Sequence, residues 1–261
     1  MGVSLPDASR IAPPDSGVRS DAVVELRDVR FAWARGAPPV IDLEQLRIDA
    51  GERVFVRGAS GSGKSTLLSL VAGVVAPQVG SVRVLGKDMG ALSSAQRDRF
   101  RADHIGFIFQ MFNLIPYLSV LENVTLPCGF SGRRRSAAHP SAAAEAVRLL
   151  EHLDMTAADV LRRPVTELSV GQQQRVAAAR ALIGAPQLVI ADEPTSSLDA
   201  DRRRAFLDLL FRECAREEAS LLFVSHDASL APLFDRAIEF SELNRAWARP
   251  SRLPRPQEGA A

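Results

Sequence analysis

The sequence predicts an α/β fold: a mostly parallel sheet built around a phosphate-binding loop, with a helical subdomain inserted into it. Three observations carry that expectation. Gly58-Ala59-Ser60-Gly61-Ser62-Gly63-Lys64-Ser65-Thr66 fits G-x-x-x-x-G-K-[ST], between a short apolar run (Arg53 to Arg57) and an apolar stretch of helical length (Ser65 to Val75). A second apolar run, Leu188 to Ala191, ends in two acids, Asp192 and Glu193. Strand and helix patterns alternate before residue 111 and after about 170, and helical patterns dominate between; such alternation calls for a parallel sheet flanked by helices, with its ligand site at the carboxyl ends of the strands.

Taken in order, residues 1–21 are polar and proline-bearing, lack the apolar core of a signal peptide, and read as a flexible tail. Ala22 to Trp33 reads as a strand ending in aromatics, Ile41 to Ile48 as a second, and Arg53 to Arg57 as the strand that leads into the loop. The loop's glycines remove Cβ atoms, so backbone N–H groups can turn inward around an anion. The helix that begins near Lys64 adds the positive end of its dipole. Lys64 supplies a mobile charge for the outer phosphates, and the Ser65 hydroxyl is placed to ligate Mg²⁺. Ser81 to Leu85 then reads as a short strand, Ser94 to Asp103 as a polar helix, and Ile105 to Phe109 as a buried strand running into Gln110. In the inserted region (about 111–170), Ser119 opens a helix, Gly132 to Ser136 reads as a charged, solvated loop, and Ser141 to Leu153 is amphipathic. Asp201 to Glu218 and Leu221 to Ser225 resume the alternation. The chain from 243 onward reads as a basic, flexible tail carrying Arg245, Arg249, Arg252 and Arg255.

A buried strand ends in carboxylates only where something offsets their charge, because an unpaired buried charge is costly. Mg²⁺ with a nucleotide would do so. Asp192 would then hold the metal opposite Ser65, and Glu193 would orient the attacking water and accept its proton, a role worth about 10²–10⁴ in rate. Alone, the pair also reads as solvated acids at a strand end. The 261 residues carry 32 Lys+Arg against 31 Asp+Glu, a formal charge of +1, which argues against a nucleic-acid partner. Cys128 and Cys214, far apart, read as small buried hydrophobes rather than a disulfide. No uninterrupted apolar run is long enough to span a bilayer, so any membrane role comes through a partner.

Leu168-Ser169-Val170-Gly171-Gln172 resembles the signature sequence of ABC-type ATPases. Other landmarks follow that family's order over about 22–240: Gln110 at its Q-loop, Ser197-Leu198-Asp199 at its D-loop, His226 at its switch histidine, and Trp33 where an aromatic ring stacks on adenine. The resemblance implies the ABC ATPase fold: a P-loop NTPase core with a mostly parallel sheet, an N-terminal antiparallel β subdomain and an inserted α-helical subdomain. It implies ATP and Mg²⁺ as ligands, Gln110 beside Ser65 and Asp192 at the metal, and Lys64, Glu193, Gln110 and His226 in catalysis. Ser169 can cap a helix from about Val170 to Ile183, a second anion-binding helix end. The family closes that end, with Gly171 and Gln172, on the γ-phosphate held by a second copy, head to tail. Asp199 would report across that interface, or merely cap its own helix. Val170 departs from the family's usual glycine, and its β-branched side chain limits close approach.

Met111 to Tyr117 is more apolar than an exposed loop requires. It would pack under the helical subdomain or, as the resemblance implies, receive a short helix of a membrane subunit. One nucleotide domain (22–242) without a membrane span looks like the separate ATPase subunit of a transporter, peripheral through its permease at the cytoplasmic face of the inner or plasma membrane. Gly86 to Gln110 and the following FNLIPYLSVLENVTLP are similar to the lipoprotein-release and macrolide-exporter branch, whose partner is a four-span permease worked mechanically. Polar amino-acid importers share part of that pattern. Readings of another class are a regulatory coupler to cell-wall enzymes and an ATPase acting on nucleic acid.

Overall fold

The computed structural model describes residues 22–155, 160–196 and 198–248. The expected N-terminal tail, Ser197 of the expected D-loop, and residues 249–261 of the expected C-terminal tail lie outside the described residues.

β1 (Ala22–Phe31) and β2 (Ile41–Asp49) pair antiparallel, with Leu26 opposite Leu46 and Phe31 opposite Ile41. β1 changes phase midway: Val24 and Leu26 are buried, then Val29 and Phe31. Asp28, at φ 51, sits at the shift, where an extra residue bulges from the ladder with the strand on its other side. β3 (Arg53–Arg57) runs through residues 58–63 into α1 (Lys64–Val71). β4 (Val79–Val84) and β5 (Lys87–Asp88) complete an antiparallel sheet of order β2-β1-β4-β5. α2 (Ser94–His104) begins at a capping box of Ser93 and Gln96 and delivers the chain to β6 (Ile105–Ile108).

The helical region follows: α3 (Val120–Phe130), α4 (Gly132–Ala137), α5 (Ala142–His152), short 3₁₀ turns at Val160–Arg162 and Val165–Glu167, and α6 (Val170–Leu182). Then come β7 (Leu188–Asp192), α7 (Ala200–Arg216), β8 (Ser220–Ser225), a 3₁₀ segment at Ala228–Leu233, β9 (Arg236–Glu239), α8 (Phe240–Leu243) and α9 (Arg245–Ala248). Five strands form a second sheet of order β6-β7-β8-β3-β9, each neighbouring pair parallel. Its central strands are apolar on both faces because both faces are covered. In β3, Phe55 joins the core beneath the helical region, while Val54 and Val56 join the core shared with α1 and the antiparallel sheet. Phe223 and Val224 of β8 divide the same way.

Two expectations are corrected. Gly132 to Ser136 is exposed apart from Arg134, but it is not a loop; it lies within α4, whose cap Ser131 accepts a hydrogen bond from the Arg134 N–H. Arg133 donates to the carbonyls of Asp103 and Ala185, Arg135 to those of Cys128 and Gly129, and Arg134 is buried. Arg133 and Arg135 make these bonds while remaining exposed. The fold also continues past 242 to Ala248, with Phe240 and Asn244 buried. The two cysteines are free and buried, and burial pushes the Cys214 thiol up to about 12. Among the described residues no helix is long and apolar enough to cross a membrane.

Candidate active site

The loop between β3 and α1 has the strand–loop–helix setting a phosphate cradle needs. Gly63 occupies the N-cap of α1 at φ 100, and a Cβ there would lie 2.9 Å from the Val40 carbonyl oxygen, so only glycine fits. No side chain caps α1. Its first N–H groups are therefore left for a ligand. Lys64 folds over the loop, its Nζ donating to the carbonyls of Gly58 at 2.7 Å and Ala59 at 2.9 Å. Trp33 lies just past β1, 59% exposed, edge-on to Phe31, and its Nε1 donates to Thr66 Oγ1 at 3.2 Å. The ring is tethered at its edge to the start of α1.

β7 and β8 are neighbours, so the acids at the tip of one meet the histidine past the end of the other. Asp192 pairs in register with Val224, and the Glu193 N–H donates to the Val224 carbonyl at 2.9 Å. Glu193 stands at φ 44, a strained region for a side-chain-bearing residue, at a cost of order 1–3 kcal/mol. Its Oε2 lies 2.9 Å from His226 Nδ1. Asp192 Oδ2 accepts from Ser65 Oγ at 3.3 Å. Burial pushes the Asp192 carboxyl above the usual carboxylate range and Glu193 adds to that, while the Ser65 hydrogen bond and Lys64 pull the other way.

A cavity of about 670 Å³ gathers Ser60, Gly61, Gly63, Lys64, Ser65, Thr66, Gln110, Asp192, Glu193 and His226, with Val40 as an apolar wall. The Ser65 hydroxyl and the Asp192 carboxylate are hard oxygen donors, and a cation between them would relieve the desolvated acid. That pairing fits Mg²⁺, which takes few protein ligands and completes its shell with phosphate and water. Among the described residues no cluster of three or more metal-ligating side chains stands alone.

Ser169, Gly171 and Gln172 are not in this cavity. They open α6 with a capping box: the Ser169 Oγ accepts from the Gln172 N–H, and the Gln172 side chain accepts from the Ser169 N–H. Val170 is half exposed, and a Cβ at Gly171 would touch nothing within 4 Å. Asp199 also stands apart and caps α7, accepting from the Arg202 N–H at 2.9 Å. Two residues emerge only from the structure. Gln174, buried in α6, donates to the Pro194 carbonyl at 2.9 Å and ties that helix to the turn bearing Glu193. Asn244 donates to the carbonyls of Ser62 and Val40 and accepts from the Asp42 N–H, all at 2.9 Å, so the end of the described chain braces the phosphate loop.

The family described as ABC transporter matches residues 43–196. The lipoprotein-releasing system ATP-binding protein LolD of Xanthomonas oryzae pv. oryzae is 37% identical over 226 residues, 86% of this chain and 90% of that one. LolD of Pseudomonas fluorescens is 38% identical over 85% of this chain and 96% of its own length. The macrolide export ATP-binding/permease protein MacB of Rhodopseudomonas palustris is 38% identical over 85% of this chain but only 33% of its own. Among solved structures, the dimeric post-hydrolysis state of the ATP-binding cassette MJ0796, bound to ADP and Pi, has a TM-score of 0.72 at 33% identity, covering 83% of this chain and 93% of that one. In sequence and fold alike, the chain belongs to the ABC transporter family.

Proposed function

We propose that this chain is the ATP-hydrolysing subunit of a transporter of the lipoprotein-release or export type, working as a head-to-tail homodimer on a separate membrane permease. The observation that carries the reading is a separation within the chain: one cavity gathers Lys64, Ser65, Gln110, Asp192, Glu193 and His226, and the capped start of α6 lies outside it. Within one subunit that helix end has no phosphate to bind; a second copy supplies one.

In this reading, Trp33 stacks on adenine, while the backbone N–H groups of residues 58–66 and the Lys64 ammonium hold the phosphates. Ser65, Asp192 and Gln110 would hold Mg²⁺, which when bound offsets charge on the phosphate oxygens. Glu193 accepts the proton of the attacking water. His226 holds one oxygen of that carboxylate, leaving the other for the water, and lies against the γ-phosphate. Ser169, Gly171 and Gln172 of the second copy close over the same phosphate, with Asp199 across the interface. Hydrolysis removes the charge that both halves grip, and the pair opens.

The permease would dock beside Met111 to Tyr117. Met111 and Tyr117 are 80% and 83% exposed, and Phe130 is 76% exposed. Phe130 lines a cavity of about 650 Å³ with Phe107, Phe109 and Pro127, and Asn113 is the residue of the 111–117 stretch that reaches it. Large apolar side chains left exposed mark an interaction surface, and an aromatic-lined groove suits a short helix. In this reading the partner is a four-span permease and the chain sits at the cytoplasmic face of the membrane; the likeness to LolD and MacB supports a transporter of the lipoprotein-release or export type. The test is purification from detergent-solubilised membranes. Recovery with a four-span permease, together with ATP hydrolysis, is the expected outcome; recovery with nucleic acid or a cell-wall hydrolase regulator instead would overturn the reading.

A further inference from the structure

The ring read as stacking on adenine stands at the root of a loop, and a side chain from another strand holds the backbone beside it. β1 ends at Phe31, and residues 32–40 loop out before β2 begins at Ile41. On one side Phe31 stays in the ladder, its carbonyl accepting from the Val40 N–H at 2.8 Å. On the other, β1 pairs with β4 as far as Arg30 opposite Val79. Two residues further, that register would set Ala32 against Pro77, which has no N–H to donate. Gln78 fills the gap. Its backbone N–H donates to the Arg30 carbonyl at 3.3 Å, and its side-chain amide takes both backbone groups of Ala32. Nε2 donates to the Ala32 carbonyl at 2.7 Å, and Oε1 accepts from the Ala32 N–H at 2.9 Å.

Trp33 is the next residue. Its ring stands edge-on to Phe31 with centroids 5.2 Å apart, and its Nε1 donates to Thr66 Oγ1 at 3.2 Å. Neither contact fixes the backbone that carries the ring. An exposed ring on a loop containing Gly36, at φ 82, has backbone and rotamer freedom to lose when a ligand binds. With Ala32 clamped, part of that freedom is already gone in the free protein.

We propose that Gln78 is a positioning residue for nucleotide binding: by clamping Ala32 it holds the Trp33 ring where the base is received, and so governs affinity for the base and not for the phosphates. The proposal rests on the reading of Trp33 as the base-stacking ring and adds the device that pre-orders it. Gln78 itself lies outside the cavity that gathers Lys64 and the acids.

The experiment measures, on the full chain, the Kd for ATP and for inorganic triphosphate, which carries phosphates and no base. Gln78→Leu keeps bulk and removes both bonds to Ala32. It is expected to weaken ATP about three- to tenfold and to leave inorganic triphosphate within about twofold. In turnover the loss should appear in KM and not in kcat. Gln78→Glu keeps the acceptor and loses the donor; its added charge acts on both ligands, so the ratio of the two Kd values cancels it and should still rise. That second variant keeps the test open if Gln78→Leu folds poorly. Trp33→Ala separates the two claims. If it raises the ratio and neither Gln78 variant does, the ring stacks and the clamp is idle, so the proposal falls alone. If Trp33→Ala leaves the ratio unchanged, the reading of the ring falls and the proposal with it. In the Trp33→Ala background, Gln78→Leu should move the ratio no further; a further rise there would overturn the proposal. Equal losses for ATP and inorganic triphosphate in the Gln78→Leu chain would show a general structural role and overturn it too.

Discussion

Glu193 is held in a left-handed backbone conformation by a bond from its own N–H to Val224, and its carboxylate is held by His226. Glu193→Gln keeps both the shape and a hydrogen-bond acceptor but removes the proposed base. ATP should still bind, and single-turnover hydrolysis should fall about 10²–10⁴-fold; normal turnover would remove Glu193 from the role. Val170 presents two methyl groups at an open helix end. In a Glu193→Gln background, Val170→Gly should lower the ATP concentration that half-saturates dimer formation, read by light scattering, because backbone and phosphate can then come closer. The polar residues of the cavity were legible because each belongs to a motif; Val40, its apolar wall, belongs to none and was not. Arg134 was not. Three consecutive arginines read as solvated charge, and what buries the middle one is its packing against Ala181 and Gly184, some fifty positions away. Gln174 was hidden likewise, because its partner carbonyl belongs to another element.

At the level of elements, the strands and helices around the loop were readable from period and caps. Ser93, Ser119 and Ser169 each open a helix with a capping box. The split of β3 between two cores follows from its period of two. The chain beyond 242 was not readable, because its role depends on contacts distant in sequence. Asn244 meets Ser62 182 residues away and Asp42 202 residues away. Asn244→Ala would strand the Ser62 and Val40 carbonyls and the Asp42 N–H in a buried site, at a cost of about 1–3 kcal/mol. For a chain of this size, that corresponds to a melting temperature lower by roughly 2–10 °C. Because the same bonds brace the phosphate loop, ATP affinity should weaken in parallel. Calorimetric unfolding with and without ATP checks both, and a stable variant with unaltered affinity would show the brace to be idle.

On the scale of the whole molecule, one subunit carries the two helix N-termini proposed to hold phosphate, and of these only α1 faces the cavity with the acids. α6 ends in open surroundings, its first turn capped and half exposed. A formal charge of +1 leaves little long-range repulsion between two copies, so association is governed locally. Without nucleotide, the positive end of α6 would meet Lys64 and the positive end of α1, and the faces repel. A triphosphate with its cation reverses that sign and fills both ends at once. The isolated chain should therefore run as a 28.2 kDa monomer. Glu193→Gln with ATP and Mg²⁺ should run at twice that mass, and ADP or a chelator should return it to monomer. Multi-angle light scattering at fixed, low salt separates these states. A dimer that persists without nucleotide would mean that contacts other than the shared phosphate hold the subunits, and the division of labour between α1 and α6 would then need another cause.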